Sequence, residues 1–85
     1  METRIKAEVI KEKSFDPHFF VRVSYDDGIN RFVDEIVSVD RKPPKVTITY
    51  TEYIKNIVDK INVKKIEIEI LKAIVESLLT STTRL

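Results

Sequence analysis

The C-terminal part of the chain, residues 63–80, carries a pattern of charged and apolar positions that predicts a helix. Polar residues recur at steps of four, three, four and four, and the charged ones alternate in sign: Lys65, Glu69, Lys72, Glu76 and Thr80. At this spacing side chains share one helix face, where neighbours of opposite charge can form ion pairs. Most other positions are apolar, so the polar stripe is narrower than on an ordinary surface helix. We therefore expect this helix to bury apolar surface in more than one direction.

The second direction is expected to be another copy of the chain. A chain of 85 residues buries a smaller fraction of its surface than a large domain does, and association is one way to reinforce its core. There is no cysteine, so disulfides cannot supply that reinforcement. The predicted oligomer interface consists of apolar residues of the helix: Ile66, Ile68, Ile70, Leu71, Ile74, Val75 and Leu78.

Upstream of the helix, alternation of apolar and polar residues predicts four strands. The first lies within residues 4–11, with Ile5, Ala7 and Val9 on one side. The second runs over residues 19–25, the third over about 30–39 and the fourth over 46–50. The third is long enough to hold a β-bulge near residues 34–35.

The only glycine, Gly28, follows two aspartates and predicts a hairpin turn that needs a positive φ. Two registers are open. A two-residue loop places Val23 opposite Phe32, whereas a three-residue loop with a bulge at Gly28 places Val21 opposite Val33. Because a slip of one residue exchanges the two faces of a strand, the pattern leaves open whether Phe32 or Val33 is in the core.

A first helix is expected after the fourth strand. Thr49 and Glu52 have the spacing of a capping box, and the apolar stripe of this helix is Tyr53, Ile54, Ile57, Val58 and Ile61. The stripe loses its phase near Lys64, so Asn62 is expected to separate two helices, as a C-cap or as the next N-cap.

Residues 65–70 also alternate as a strand would, which would make a βαβ crossover with the fourth strand. We favour a helix because nothing interrupts the chain between Ile70 and Lys72 and the charged stripe continues beyond them. The predicted fold class is α+β: one domain, residues 1–85, with a four-stranded antiparallel sheet over about 3–50. Two C-terminal helices, about 50–61 and 63–80, pack on one face of the sheet.

Composition adds an expectation about origin. The chain has twelve Ile and ten Val but four Leu, 34% charged residues and one glycine. This composition is typical of hyperthermophile proteins and suits an archaeal or viral source, although an AT-rich genome would also favour Ile and Lys. No stretch approaches the about 20 apolar residues of a membrane span. The N-terminus has no signal-peptide pattern, so we expect a cytoplasmic protein without membrane contact.

Few residues suggest catalysis. His18 is the only histidine, and as a general base it would need an orienting carboxylate, for which Asp16 and Asp34 are candidates. One glycine excludes the phosphate-binding loops. Acidic residues near the hairpin lack the spacing of a calcium loop: Asp26, Asp27, Asp34 and Glu35. We expect no catalytic residue, cofactor or metal, and a small enzyme centred on His18 is the third hypothesis.

Binding of single-stranded nucleic acid by a sheet face is the second hypothesis, since arginines and an exposed ring can hold phosphates and bases. The candidates are Phe20, Arg22, Arg31, Arg41, Lys42 and Lys45, with Tyr25 as a further ring. Against it, residues 16–40 carry six acids and only two bases, and the whole chain has a net charge of +1.

The first hypothesis is therefore a small non-catalytic interaction module, or accessory subunit, that self-associates through its C-terminal helix. Its expected partner is itself, as a homodimer or higher oligomer. Another protein subunit is the alternative partner, and nucleic acid is a less favoured one.

Overall fold

The chain folds as an antiparallel sheet followed by helices, as we show in a computed structural model that describes residues 2–42 and 44–82. The strands lie in the sheet in sequence order: β1 (Arg4–Val9), β2 (His18–Asp26), β3 (Arg31–Lys42) and β4 (Lys45–Thr49). Helices α1 (Glu52–Asn56) and α2 (Val63–Thr82) follow, and single 3₁₀ turns occupy Lys11–Lys13 and Val58–Lys60. The predicted α+β class is confirmed, and residues 64–70 are helical.

One face of the sheet forms the core. Alternate residues of β2 are buried on this face: Phe19, Val21, Val23 and Tyr25. Residues on the opposite face are exposed or half-buried, and we call it the open face. The alternation follows from the strand geometry, which sends successive side chains to opposite sides.

Helix α2 covers the core face with three isoleucines at steps of four. Ile66 and Ile70 are fully buried and Ile74 is 2% exposed, and the helix packs on β1 and β2. Four-residue steps keep side chains on one helix face. The full set of buried apolar residues is Val9, Phe19, Val21, Val23, Tyr25, Phe32, Val37, Val39, Ile54, Ile66, Ile70 and Ile74.

The β2–β3 hairpin adopts neither of the two predicted registers. Tyr25 lies opposite Phe32, and a four-residue loop, residues 27–30, connects the strands. The Asp27 carboxylate closes this loop by accepting the backbone N–H groups of Ile29 at 2.9 Å and Asn30 at 2.7 Å. Both predictions were wrong because they considered the glycine and not this side chain, which favours a longer loop.

A β-bulge in β3 decides which residues reach the core, and its predicted place is confirmed. The register shifts so that Val33 and Asp34 lie together near Ser24. Asp34 has a φ of 54° and donates its backbone N–H to the Ser24 hydroxyl at 3.1 Å. The extra residue changes the phase of the strand. Phe32 is therefore buried while Val33 is 54% exposed, and Val37 returns to the core.

The first helix begins two residues later than predicted. Thr49 still pairs with β3, so the Thr49–Glu52 capping box is wrong. Thr51 is the N-cap instead: its hydroxyl accepts the Ile54 N–H at 3.3 Å. The same hydroxyl donates to the Glu35 carboxylate at 2.6 Å, which fixes the start of α1 to the sheet.

Helix α1 is also shorter than predicted, ending at Asn56. Ile57 leaves the helical region with φ −119° and ψ 14°, and the chain reaches α2 through a 3₁₀ turn. Asn62 separates the helices as expected and caps α2: its side-chain oxygen accepts the Lys65 N–H at 3.1 Å. Side-chain capping of this kind satisfies a backbone donor that the first helical turn leaves free.

The Tyr25 hydroxyl links the hairpin loop to the start of α2 by hydrogen bonds. It donates to the Asp27 carboxylate at 2.7 Å and accepts the Asn62 N–H at 3.2 Å. Burial raises the pKa of Tyr25, whereas hydrogen bonds, first of all that from the Asn30 backbone N–H, lower the pKa of Asp27. The Asn30 side chain adds a bond to the Lys60 carbonyl at 3.2 Å. The hairpin and the helix junction therefore order each other.

Replacing Gly28 by valine should destabilise this loop. Gly28 has a φ of 89°, a region in which a β-branched residue is strained by about 1–3 kcal/mol. For a domain of this size that lowers the melting temperature by about 4 °C or more. Gly28→Asn is the control and should lose less, since asparagine tolerates positive φ better. A valine variant that melts within about one degree of wild type would contradict the strain.

Candidate functional site

A second apolar row runs along α2 on the side away from the sheet. Ile68 is 57% exposed, Val75 53% and Leu79 59%, and Leu71 is half-buried. We call these four residues the outer stripe. They are three, four and four positions apart, the spacing of one helix face. Ile68 lies two residues from the buried Ile70, about 200° around the helix, so the outer stripe and the core residues occupy opposite faces.

A row of alternating charges borders the outer stripe. Glu69 Oε2 and Lys72 Nζ are 3.9 Å apart. Of the three ion pairs that the sequence predicts, this is the one that forms among the described residues. Lys65 and Glu76 have no ion-pair partner in the described part of the chain. A shallow depression is lined by the stripe and by this border: Ile68, Leu71, Lys72, Val75 and Glu76.

The structure divides the predicted interface residues between two faces. Ile66, Ile70 and Ile74 are buried against the sheet of their own chain, and Leu78 packs partly against that core. Ile68, Leu71 and Val75 lie on the outer stripe, together with Leu79, which sequence reasoning missed. Leu79 follows Val75 by four residues, a spacing that could have identified it.

Two nucleic-acid candidates share the open face, but their surroundings are acidic. Phe20 is half-buried. Arg22 Nη1 lies 3.0 Å from Glu8 Oε1, because these residues are opposite one another on β2 and β1. Arg31, at the hairpin, lies 3.9 Å from Asp26. Each carboxylate offsets the positive charge that would attract a phosphate.

The remaining candidates lie elsewhere. Arg41 binds both oxygens of Asp16, at 3.1 and 2.8 Å. Lys42 and Lys45 face each other beside the β3–β4 turn, about 20 Å from the row of Arg22. Tyr25 is buried and stacks on Phe32 with centroids 5.5 Å apart, so its proposed role as an exposed ring is wrong. The candidates do not form one continuous basic surface.

His18 has a different partner from the two that the sequence suggested. Its Nδ1 contacts Asp40 Oδ1, because His18 and Asp40 are opposite one another on β2 and β3. Asp16 binds Arg41, and Asp34 sits at the bulge. The His18 and Asp40 side chains are 47% and 40% exposed. Water therefore has access to both side chains, and an exposed contact of this kind contributes little to stability.

A groove of about 570 Å³ runs between β1 and the C-terminal half of α2. Charged side chains of both signs line it: Glu8, Lys11, Glu12, Arg22 and Glu76. Across residues 2–42 and 44–82, no three His, Cys, Asp or Glu side chains are grouped as metal ligands. Within the same residues, no helix is both long enough and apolar enough to cross a bilayer.

The Tyr50 hydroxyl is buried without a hydrogen-bond partner among the described residues. Burial and, to a smaller extent, the charge of Glu67 raise the pKa of Tyr50. The phenol therefore stays neutral at physiological pH. A neutral hydroxyl without a hydrogen-bonded base is a packing feature rather than an activated nucleophile.

Comparison with known proteins identifies no relative. No protein-family model matches the chain, and neither a curated protein nor a solved structure matches it.

Weak binding is the expected result of a titration with single-stranded nucleic acid. The acidic partners of the arginines should keep the dissociation constant above about 100 μM at physiological salt. Fluorescence anisotropy of a labelled oligonucleotide measures this directly. Micromolar binding that weakens in Phe20→Ala, and whose salt dependence flattens in Arg22→Ala, would contradict the expectation and support a role of the open face.

Proposed function

We propose that the protein is a small non-catalytic interaction module that self-associates through the outer stripe of α2. The observation that carries this proposal is the row of large aliphatic side chains that α2 presents away from its own sheet. Single exposed apolar residues are normal on protein surfaces, whereas contiguous ones mark interaction sites. The other exposed apolar side chains are spread over loops, strands, the open face and the α1 region, among them Phe15, Ile36 and Tyr53.

The size of the stripe sets the expected strength of association. Burying an exposed aliphatic side chain contributes about 1.5–3 kcal/mol, so a half-exposed one contributes about 1 kcal/mol. Two copies of the outer stripe together supply several kcal/mol. This is of the same order as the about 4–15 kcal/mol that association costs. At the lower end of that cost a surplus of a few kcal/mol remains, so we expect a weak homodimer, populated at high micromolar concentration and above.

Self-association also suits the composition of the chain. A small core gains buried surface from a second copy without lengthening the chain. The Lys, Glu and Ile content is typical of proteins that work at high temperature, where oligomerisation is one of the usual ways to gain stability. An accessory subunit of a larger assembly would use the same face.

Ile68→Glu should dissociate the homodimer. The substitution places a carboxylate in the apolar contact, and a buried charge without a partner costs several kcal/mol. Sedimentation or light scattering at high micromolar concentration should give the monomer mass for this variant and a higher mass for wild type. Circular dichroism should show that both are folded, since Ile68 is already exposed in the single chain.

Val33→Glu is the matched control. Val33 is 54% exposed, close to the 57% of Ile68, but it lies at the bulge in β3 and not on α2. This variant should keep the wild-type mass. A monomeric wild type would contradict self-association, and dissociation by Val33→Glu with no effect of Ile68→Glu would move the contact to the open face.

A further inference from the structure

We infer that two copies pair through α2 in antiparallel orientation, about a two-fold axis beside Leu71. This inference rests on the proposed function and adds the geometry of the contact. In a two-fold contact, residue i of one copy meets residue j of the other and the reverse is also true. For two antiparallel helices this means that the residues along one helix must complement the same residues read in the opposite direction.

The charges beside the outer stripe meet this requirement. From the N-terminal end the row reads Lys65, Glu69, Lys72, Glu76, so the reversed row reads Glu, Lys, Glu, Lys. In antiparallel pairing Lys65 lies beside Glu76 of the second copy, and Glu69 lies beside Lys72 of the second copy. In parallel two-fold pairing the two rows would lie on opposite sides of the contact, so neither row would supply partners for the other. The row therefore favours a second copy in antiparallel orientation.

The apolar residues fit the same alignment. With the axis beside Leu71, this residue meets its own counterpart, and Ile68 meets Val75 of the second copy. Helices that pack in this way cross at about 20° with their axes about 8–10 Å apart. At so small an angle they stay in contact over several turns. Leu79 then lies near Lys64 of the second copy, whose aliphatic stem can cover it.

In the single chain the first and last charged residues of the row are available to a second copy. Lys65 and Glu76 have no ion-pair partner among the described residues, whereas Glu69 Oε2 and Lys72 Nζ are 3.9 Å apart. A regular helix brings residues four apart close enough to pair, yet Lys65–Glu69 and Lys72–Glu76 do not pair. A second copy in the antiparallel register supplies a partner for each of these two residues.

Disulfide trapping tests this geometry directly, because the chain has no cysteine of its own. Leu71→Cys should form a covalent dimer on mild oxidation, since a residue beside the axis brings its Cβ within about 3.5–4.5 Å of its counterpart. Ile68→Cys alone and Val75→Cys alone should stay unlinked, while a mixture of these two should form the mixed disulfide. Denaturing, non-reducing electrophoresis reads each result.

Parallel pairing predicts a different result. Ile68→Cys and Val75→Cys would then each form a disulfide-linked homodimer. Mixing the two variants would not favour a disulfide between them. That result would overturn the antiparallel geometry. It would leave the proposed function intact if the wild type is dimeric and Ile68→Glu dissociates it. A monomeric wild type would instead remove the proposed function itself.

Charge reversal provides a second test that needs no new cysteine. In the antiparallel register Glu69→Lys sets lysines side by side twice and should weaken the dimer about threefold or more. Adding Lys72→Glu should restore it. Glu52→Lys is the control, on an exposed side chain of α1, and should leave the dimer unchanged. Equal affinity of wild type and Glu69→Lys would overturn the register.

Discussion

The constraint on which the structure depends is that a sheet can cover only one side of a helix. Helix α2 has isoleucines on two sides, and packing on β1 and β2 buries the row of Ile66, Ile70 and Ile74. Once these residues are placed, helical geometry fixes the outer stripe on the opposite side. The same contact that forms the core therefore determines which residues remain for a partner.

The position of α2 is set by polar contacts at its N-terminal end. Asn62 caps the helix, and its backbone N–H binds the Tyr25 hydroxyl, which also holds the Asp27 carboxylate of the hairpin loop. The bulge at Asp34 keeps Phe32 in the core, where its ring stacks on Tyr25. Fold and interaction face are linked, since a shift of the hairpin register would move the anchor of α2.

Much of the fold could be predicted from local pattern, because strand and helix periods are properties of neighbouring residues. The strands, the break at Asn62 and the helical state of residues 64–70 are of this kind. The hairpin register was not predictable in this way, since it depends on the hydrogen bonds of the Asp27 side chain. The helix start also differed, because continued pairing of Thr49 with β3 leaves Thr51 as the cap.

The candidate site was predictable only in part. A helix that is apolar around most of its surface indicates two contacts, but it does not indicate which row faces the sheet. The sequence pattern therefore put Ile70 and Ile68 in one interface, whereas packing separates them. The open face shows the same limitation: Arg22 and Phe20 share a face as expected, but the pairing of Arg22 with Glu8 depends on strand register.

The central claim is that Ile66, Ile70 and Ile74 of α2 stabilise the single chain, whereas the outer stripe stabilises the homodimer. Thermal unfolding of wild type and Ile68→Ala separates these two contributions when it is measured from about 10 μM to about 1 mM protein. Only an associating protein gains stability as its concentration rises. We predict a wild-type melting temperature that rises by a few degrees over this range and a variant whose melting temperature stays constant. Wild-type curves that superimpose at every concentration would contradict the account.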